Sequence, residues 1–152
     1  MKNILIGFSF FTASIYMGVM WALHFFWYPS WQYLNLGSVQ DAFVGPTSRA
    51  TSFFTILVPI MMVCCIILII TEWKKPTAWT TWVMTAGILG ATLVGQLLII
   101  PINKTVAAGV ADQQTLTTLL ERWMMLNNVR MAITTVMWLG CLFFCLVRKN
   151  NP

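Results

Sequence analysis

The sequence predicts an all-α integral membrane protein, a four-helix bundle folded as one domain over residues 1–152. Three observations carry that expectation. Of the 152 residues 59% are hydrophobic and only 9% are charged, too apolar a balance for an ordinary soluble domain. Four runs reach the length of about 20 mostly apolar residues that a helix needs to cross a bilayer. They are Ile4 to Tyr28, Thr51 to Thr71, Thr77 to Ile100 and Met124 to Val147. Each is continuously apolar and does not alternate, which argues against a transmembrane β-barrel.

The first run follows Lys2, as a signal peptide would, but it is too long and no small-residue cleavage pattern follows it. It reads as a retained helix. In the connection Pro29 to Ala50, the segment Gly37 to Phe43 is expected to form a short interfacial helix capped by Ser38, and Pro46 a turn. Within the second run Pro59 is expected to kink the helix, freeing carbonyls that neighbouring helices or water must satisfy. The third run carries Gly87, Ala91 and Gly95 at a spacing of four, a small-residue stripe that lets helix backbones approach closely. The stripe suits the bundle itself or a homo-oligomer. Before the fourth run, Thr118-Leu-Leu-Glu121 fits a capping box, although another helix start would turn Glu121 toward the interior.

A net charge of +5 does not read as nucleic-acid binding, because the basic residues do not form a patch with interleaved aromatics. They sort by membrane side. Lys2, Lys74, Lys75, Arg148 and Lys149 fall on one side and Arg49, Lys104 and Arg122 on the other, so the positive-inside rule puts both termini in the cytoplasm. The expected location is the plasma (inner) membrane. Trp27, Tyr28, Trp31, Tyr33 and Trp123 then make an outer aromatic belt, and Trp73, Trp79 and Trp82 an inner one. Cys64, Cys65, Cys141 and Cys145 share a depth near the inner side. Buried structural thiols are favoured over a metal site or redox pair, since a reducing compartment disfavours disulfides and Cys packs as a small apolar residue.

Polar residues gather near the outer side: His24 ends the first run, Arg49 precedes the second, Gln96 and Asn103 end the third, and Asn127 and Arg130 open the fourth. Arg130 lies among apolar residues, where an unpaired charge costs several kcal/mol, so it must face the bundle or a wet cavity. At about 100° per residue, Trp123, Asn127 and Arg130 project within about 60° of one another. Glu121 and Asn128 point the opposite way. Helix association needs one or two hydrogen-bonding groups, and so many at one depth suggest a pocket. His24, the sole histidine, is the candidate base, with Arg130 and Arg49 stabilising an oxyanion or enolate and Asn127 beside them. Trp27 and its aromatic neighbours would form a wall for a flat lipophilic ligand. No set of transition-metal ligands and no phosphate or dinucleotide loop is evident, so no cofactor is expected.

The stretch Trp123-Met-Met-Leu-Asn127-Asn-Val-Arg130, preceded by Pro101-Ile-Asn103, resembles the anthrone oxygenase-like family of small four-span membrane proteins. Pro101, Asn103, Trp123, Asn127 and Arg130 match that pattern, and Asn127 stands where many relatives carry histidine. The resemblance implies the four-span fold. It also implies an oxygenase that turns anthrones into anthraquinones with dioxygen and without metal or flavin. Two functions follow. The first is a cofactor-independent oxidoreductase acting on a lipophilic phenolic or quinonoid compound, with Arg49, Gln96, Asn103, Trp123 and Trp27 around the substrate. The second is a non-enzymatic membrane protein that binds a lipid, a quinone or a partner subunit, and it predicts a closed polar network with no room for a ligand. A transporter would need oligomers, since the chain shows no inverted repeat.

Overall fold

The structure, a computed structural model, describes residues 2–150 and the side chains of residues 3–147. Lys2, Arg148 and Lys149, which carry part of the orientation argument, have side chains outside that set. Among the described residues, four helical spans are long and apolar enough to cross a membrane: Asn3–Trp31, Gln40–Glu72, Ala78–Ala108 and Gln113–Val147. The chain is therefore an integral membrane protein with an all-α four-helix architecture.

The second and fourth helices start well before their apolar runs, because tertiary packing stabilises polar sequence that hydropathy alone would leave as loop. Gly37 to Phe43 is not a separate interfacial helix. Asn35 receives the amides of Gly37 and Ser38 on its side-chain oxygen at 2.9 and 3.1 Å, and Ser38 Oγ accepts the Asn35 amide in return at 3.1 Å. The cap thus belongs to Asn35, and the helix leads directly into the second span. Pro46 makes no turn; it sits in the first turn of the regular helix Gly45–Glu72, which runs on through Pro59.

Asp112 starts the fourth helix, not Thr118. Its carboxylate accepts the amide and the hydroxyl of Thr115, both at 2.8 Å. The Thr118 hydroxyl donates back to the Gln114 carbonyl at 3.0 Å and Glu121 is exposed. Leu116 and Leu120, buried against Trp31, Phe43 and Ile102, hold these added turns in place.

One wide turn interrupts each of the first three spans at its polar end, at Leu23–Trp27, Gln40–Val44 and Gly95–Ile99. In each the amide of the following residue reaches five residues back, from Tyr28 to Leu23, Gly45 to Gln40 and Ile100 to Gly95. The next residue is always proline: Pro29, Pro46 and Pro101. Proline offers no amide, and its ring collides with the carbonyl four residues back in an α-helix. Widening the turn by one residue relieves that collision while the chain stays helical.

The third and fourth spans approach closely at Gly87, where an added Cβ would lie 2.7 Å from Met137 Cβ. The small-residue stripe is thus used within the bundle. A polar ladder joins the first and fourth spans. Trp138 donates to Ser14 Oγ at 2.8 Å, Trp21 to Thr135 Oγ1 at 3.0 Å, and His24 Nδ1 meets Asn128 Oδ1 at 2.9 Å. Numbers rise on one helix as they fall on the other, as antiparallel neighbours require. Cys64, Cys65 and Cys141 are buried and Cys145 is partly buried, and none of the four is in a disulfide.

Candidate functional site

All four spans leave a cavity of about 360 Å³ between them. On the first span its lining runs from Tyr16 to Trp31, about 22 Å at 1.5 Å of rise per residue. Tyr16, Phe54, Thr92 and Arg130 mark its deep end, near the middle of the spans, and Trp31, Pro46, Asn103 and Trp123 the end nearer the polar ends of the spans. The wide turns deliver much of this wall: Leu23, Trp27, Gly95, Gln96 and Ile99 lie within them.

Six of the eight residues singled out from the sequence line the cavity: Trp27, Gln96, Asn103, Trp123, Asn127 and Arg130. Four of them form one hydrogen-bonded chain. Trp123 donates its indole N–H to Asn103 Oδ1 at 2.7 Å. Asn127 Nδ2 donates to the Trp123 carbonyl at 3.0 Å, and Arg130 Nη1 donates to Asn127 Oδ1 at 3.1 Å. Because Asn127 is fully buried, these two bonds fix its amide, and the amide fixes the guanidinium.

The chain ends on a residue that the sequence reading did not single out. Arg130 Nη2 donates to the Tyr16 hydroxyl at 2.8 Å, and the guanidinium carbon lies 5.8 Å from the ring centres of both Tyr16 and Phe54. Tyr16 is wholly buried at mid-span. A phenol placed among Ile15, Met17 and other apolar residues is the available signal, since a buried tyrosine hydroxyl needs a partner. Arg130 retains an unpartnered Nε–H, and no carboxylate of the described residues pairs with it. Gly95 leaves room beside the guanidinium: an added Cβ would lie 3.6 Å from its central carbon.

At the opposite end from Arg130 the rings of Trp31, Phe43 and Trp123 meet edge to face with centres 5.0 to 5.2 Å apart. Trp31 and Trp123, expected in an interfacial belt, are instead buried there, whereas Trp27 is 44% exposed.

His24 and Arg49 do not join the site. His24 is absent from the cavity lining; it faces Asn128 and packs edge-on against Phe25 and Tyr28. The physical reason is azimuth. Tyr16, Met20, Leu23 and Trp27 carry the cavity face of the first span, and His24 stands about 100° around the helix from Leu23. Arg49 is likewise exposed, while Thr47, Ala50 and Thr51 around it face inward.

A family model described as anthrone oxygenase matches residues 48–139, more than half of the chain. The chain belongs to the anthrone oxygenase family. The matched segment contains Asn103, Trp123, Asn127 and Arg130, the connected polar chain of the cavity. Tyr16 and His24 lie outside it. No curated protein and no solved structure matches this sequence.

Proposed function

We propose that the protein is a membrane-embedded, cofactor-independent oxygenase that oxidises a lipophilic aromatic compound, phenolic or quinonoid, in this cavity. The observation that carries the reading is Arg130, a cation held by Tyr16 and Asn127 at the deep end of an aromatic-walled space. A volume of about 360 Å³ is in the range of small-molecule sites. A network serving only to join helices would leave no such room, which favours a substrate site over a purely structural role.

The chemistry suits a substrate whose CH₂ group is activated by two flanking aromatic rings and a carbonyl. Loss of one proton gives an enolate whose oxygen Arg130 stabilises. The enolate passes one electron to dioxygen, and the resulting radical pair closes a C–O bond. After protonation, the hydroperoxide breaks its O–O bond, loses the second C–H proton and releases water. The CH₂ becomes a carbonyl; dioxygen takes four electrons and leaves one atom in the product and one in water. Asn127 positions the guanidinium, Asn103 and Gln96 offer amides toward the substrate body, and Trp27 and Trp123 supply apolar walls. His24 and Arg49, given roles as base and oxyanion partner by sequence reasoning, lie off the cavity lining. We place the cavity toward the outer leaflet of the plasma (inner) membrane with cytoplasmic termini, a reading supported by Lys2, Lys74, Lys75, Arg148 and Lys149 on one side against Arg49, Lys104 and Arg122 on the other.

The test is oxygen uptake by detergent-purified protein given a hydroxylated anthrone, with quinone absorbance read in parallel. Protein-dependent uptake matching quinone one to one, and falling about 100-fold in Arg130→Gln, is expected. Uptake no faster than autoxidation in empty micelles would refute the activity.

A further inference from the structure

The proton inventory of the cavity limits what it can take. Among the described residues lining it, Tyr16 and Arg130 alone have side chains of ionisable type. Tyr16 has no accessible surface, and its oxygen already receives Arg130 Nη2. The second span offers Thr47, Thr51 and Thr55, and the third offers Thr92, Gln96 and Asn103. None of these accepts a proton near neutral pH. The remaining groups that could do so stand elsewhere: Asp41, Asp112 and Glu121 are exposed and off the lining, Glu72 ends the second span, and His24 faces Asn128.

We infer that the cavity binds its aromatic ligand as an oxyanion formed by the ligand's own acidity, with the protein supplying a counter-charge and no base. This rests on the cavity being the substrate site, and it narrows the substrate class to phenols, enols and vinylogous acids that ionise near working pH. Arg130 provides the counter-charge. It has no carboxylate partner among the described residues, and it retains N–H groups beyond the two given to Asn127 and Tyr16. A cation so placed within a membrane is costly until an anion joins it.

The geometry also orients the ligand. The hydroxyls of Thr51, Thr55 and Thr92 donate to backbone carbonyls at 2.8, 2.8 and 2.7 Å and so face the cavity only as acceptors. An oxyanion is repelled by them and settles on Arg130 at the deep end. The apolar body then lies along Met20, Leu23 and Trp27 toward the outer end, where the Asn103 amide nitrogen can meet a second oxygen.

The experiment uses alizarin, a dihydroxyanthraquinone whose ionisation changes its colour and which does not need turnover to report. Its visible spectrum is titrated in wild-type protein and in protein-free micelles of the same detergent. Bound dye should ionise about one to three pH units lower than dye in empty micelles, as an opposite charge at close range dictates. Arg130→Gln should abolish that displacement, Arg130→Lys should keep most of it, and Lys104→Gln, at an exposed position off the lining, should leave it unchanged. If Arg130→Gln does not fold, the wild-type and Arg130→Lys titrations decide alone. Preferential binding of the neutral dye, or a displacement indifferent to residue 130, overturns the inference. Oleate, a lipophilic anion without a ring, should displace the dye weakly; displacement as effective as by an aromatic phenol overturns the aromatic assignment.

For any substrate that turns over, kcat/KM should rise with pH through the substrate's own pKa and move with it across a series. A fixed pKa common to all substrates would mean that a protein base exists. The two readings separate cleanly: absent oxygen uptake with the dye displacement intact removes the oxygenase and leaves an anion-binding protein.

Discussion

Trp123 donates its indole N–H to Asn103 Oδ1 across 2.7 Å, tying the fourth span to the third where the wide turn at Gly95–Ile99 has just ended. The bond exists because that turn sets the azimuth of Asn103. A double-mutant cycle of Trp123→Phe and Asn103→Ala should give a coupling of about 1 kcal/mol, the usual net value of one hydrogen bond. Asn103→Ala alone should cost more than Trp123→Phe, because it strands a buried indole donor, whereas phenylalanine keeps most of the ring packing. Denaturant titration in mixed micelles measures both.

The same bond reports on the proline. Pro101→Ala removes the ring that enforces the wide turn, and return to a regular helix would swing Asn103 about 100° away from Trp123. The Trp123–Asn103 coupling should then fall to nearly zero in a Pro101→Ala background. Retention of the full coupling would mean that the turn is held by packing alone.

His24 and Arg130 should part company in function. His24→Ala should lower stability by about 1 kcal/mol through loss of its contact with Asn128, yet bind alizarin and turn over substrate as the wild type does. Arg130→Gln should lose the dye displacement, with turnover down about 100-fold. A large drop in activity for His24→Ala, with folding intact, would restore it as a base.

Gly87→Ala should destabilise the bundle by about 1 to 3 kcal/mol, since its new Cβ would fall 2.7 Å from Met137 Cβ. The contact is with the first side-chain atom, so Met137→Ala should not rescue it and Met137→Gly should. Rescue by Met137→Ala would show that the outer methionine atoms make the clash.

Asp112 predicts an acid response. The backbone amide of Thr115, then its hydroxyl, hold the Asp112 carboxyl below its ordinary value of 3.8. A depressed folded pKa means that the ionised group favours the folded state above pH 3.8, and that this contribution is lost as pH falls through the lower folded value. Wild-type stability should therefore drop across that acid range relative to Asp112→Asn, which can still cap without titrating. Identical acid limbs in the two proteins would remove the carboxylate from the cap.

Much of the membrane architecture is legible in composition and hydropathy. Nothing else suits four long apolar runs, since a bilayer leaves a helix as the simplest way to satisfy every backbone amide. The polar stripe Trp123, Asn127 and Arg130 is legible too, because one regular helix carries it and a period of 3.6 residues settles which side chains share a face. Prolines 29, 46 and 101 are visible in the sequence, but each fits equally a turn, a break or a widened helix.

What only the tertiary structure decided is the azimuth of residues near those prolines and the identity of each polar partner. His24 and Asn128 lie on helices 104 positions apart in sequence, as Tyr16 and Arg130 do at 114, and no local pattern says which pair meets behind the wall and which stands at the cavity. Helix starts were hidden for a related reason. Asn35 and Asp112 cap turns that lie outside the long apolar runs, and the burial of Phe43 and Leu116 in one cluster with Trp31 and Trp123 makes those turns worth forming. Hydropathy reads what each residue does against lipid; packing decides what it does against another helix.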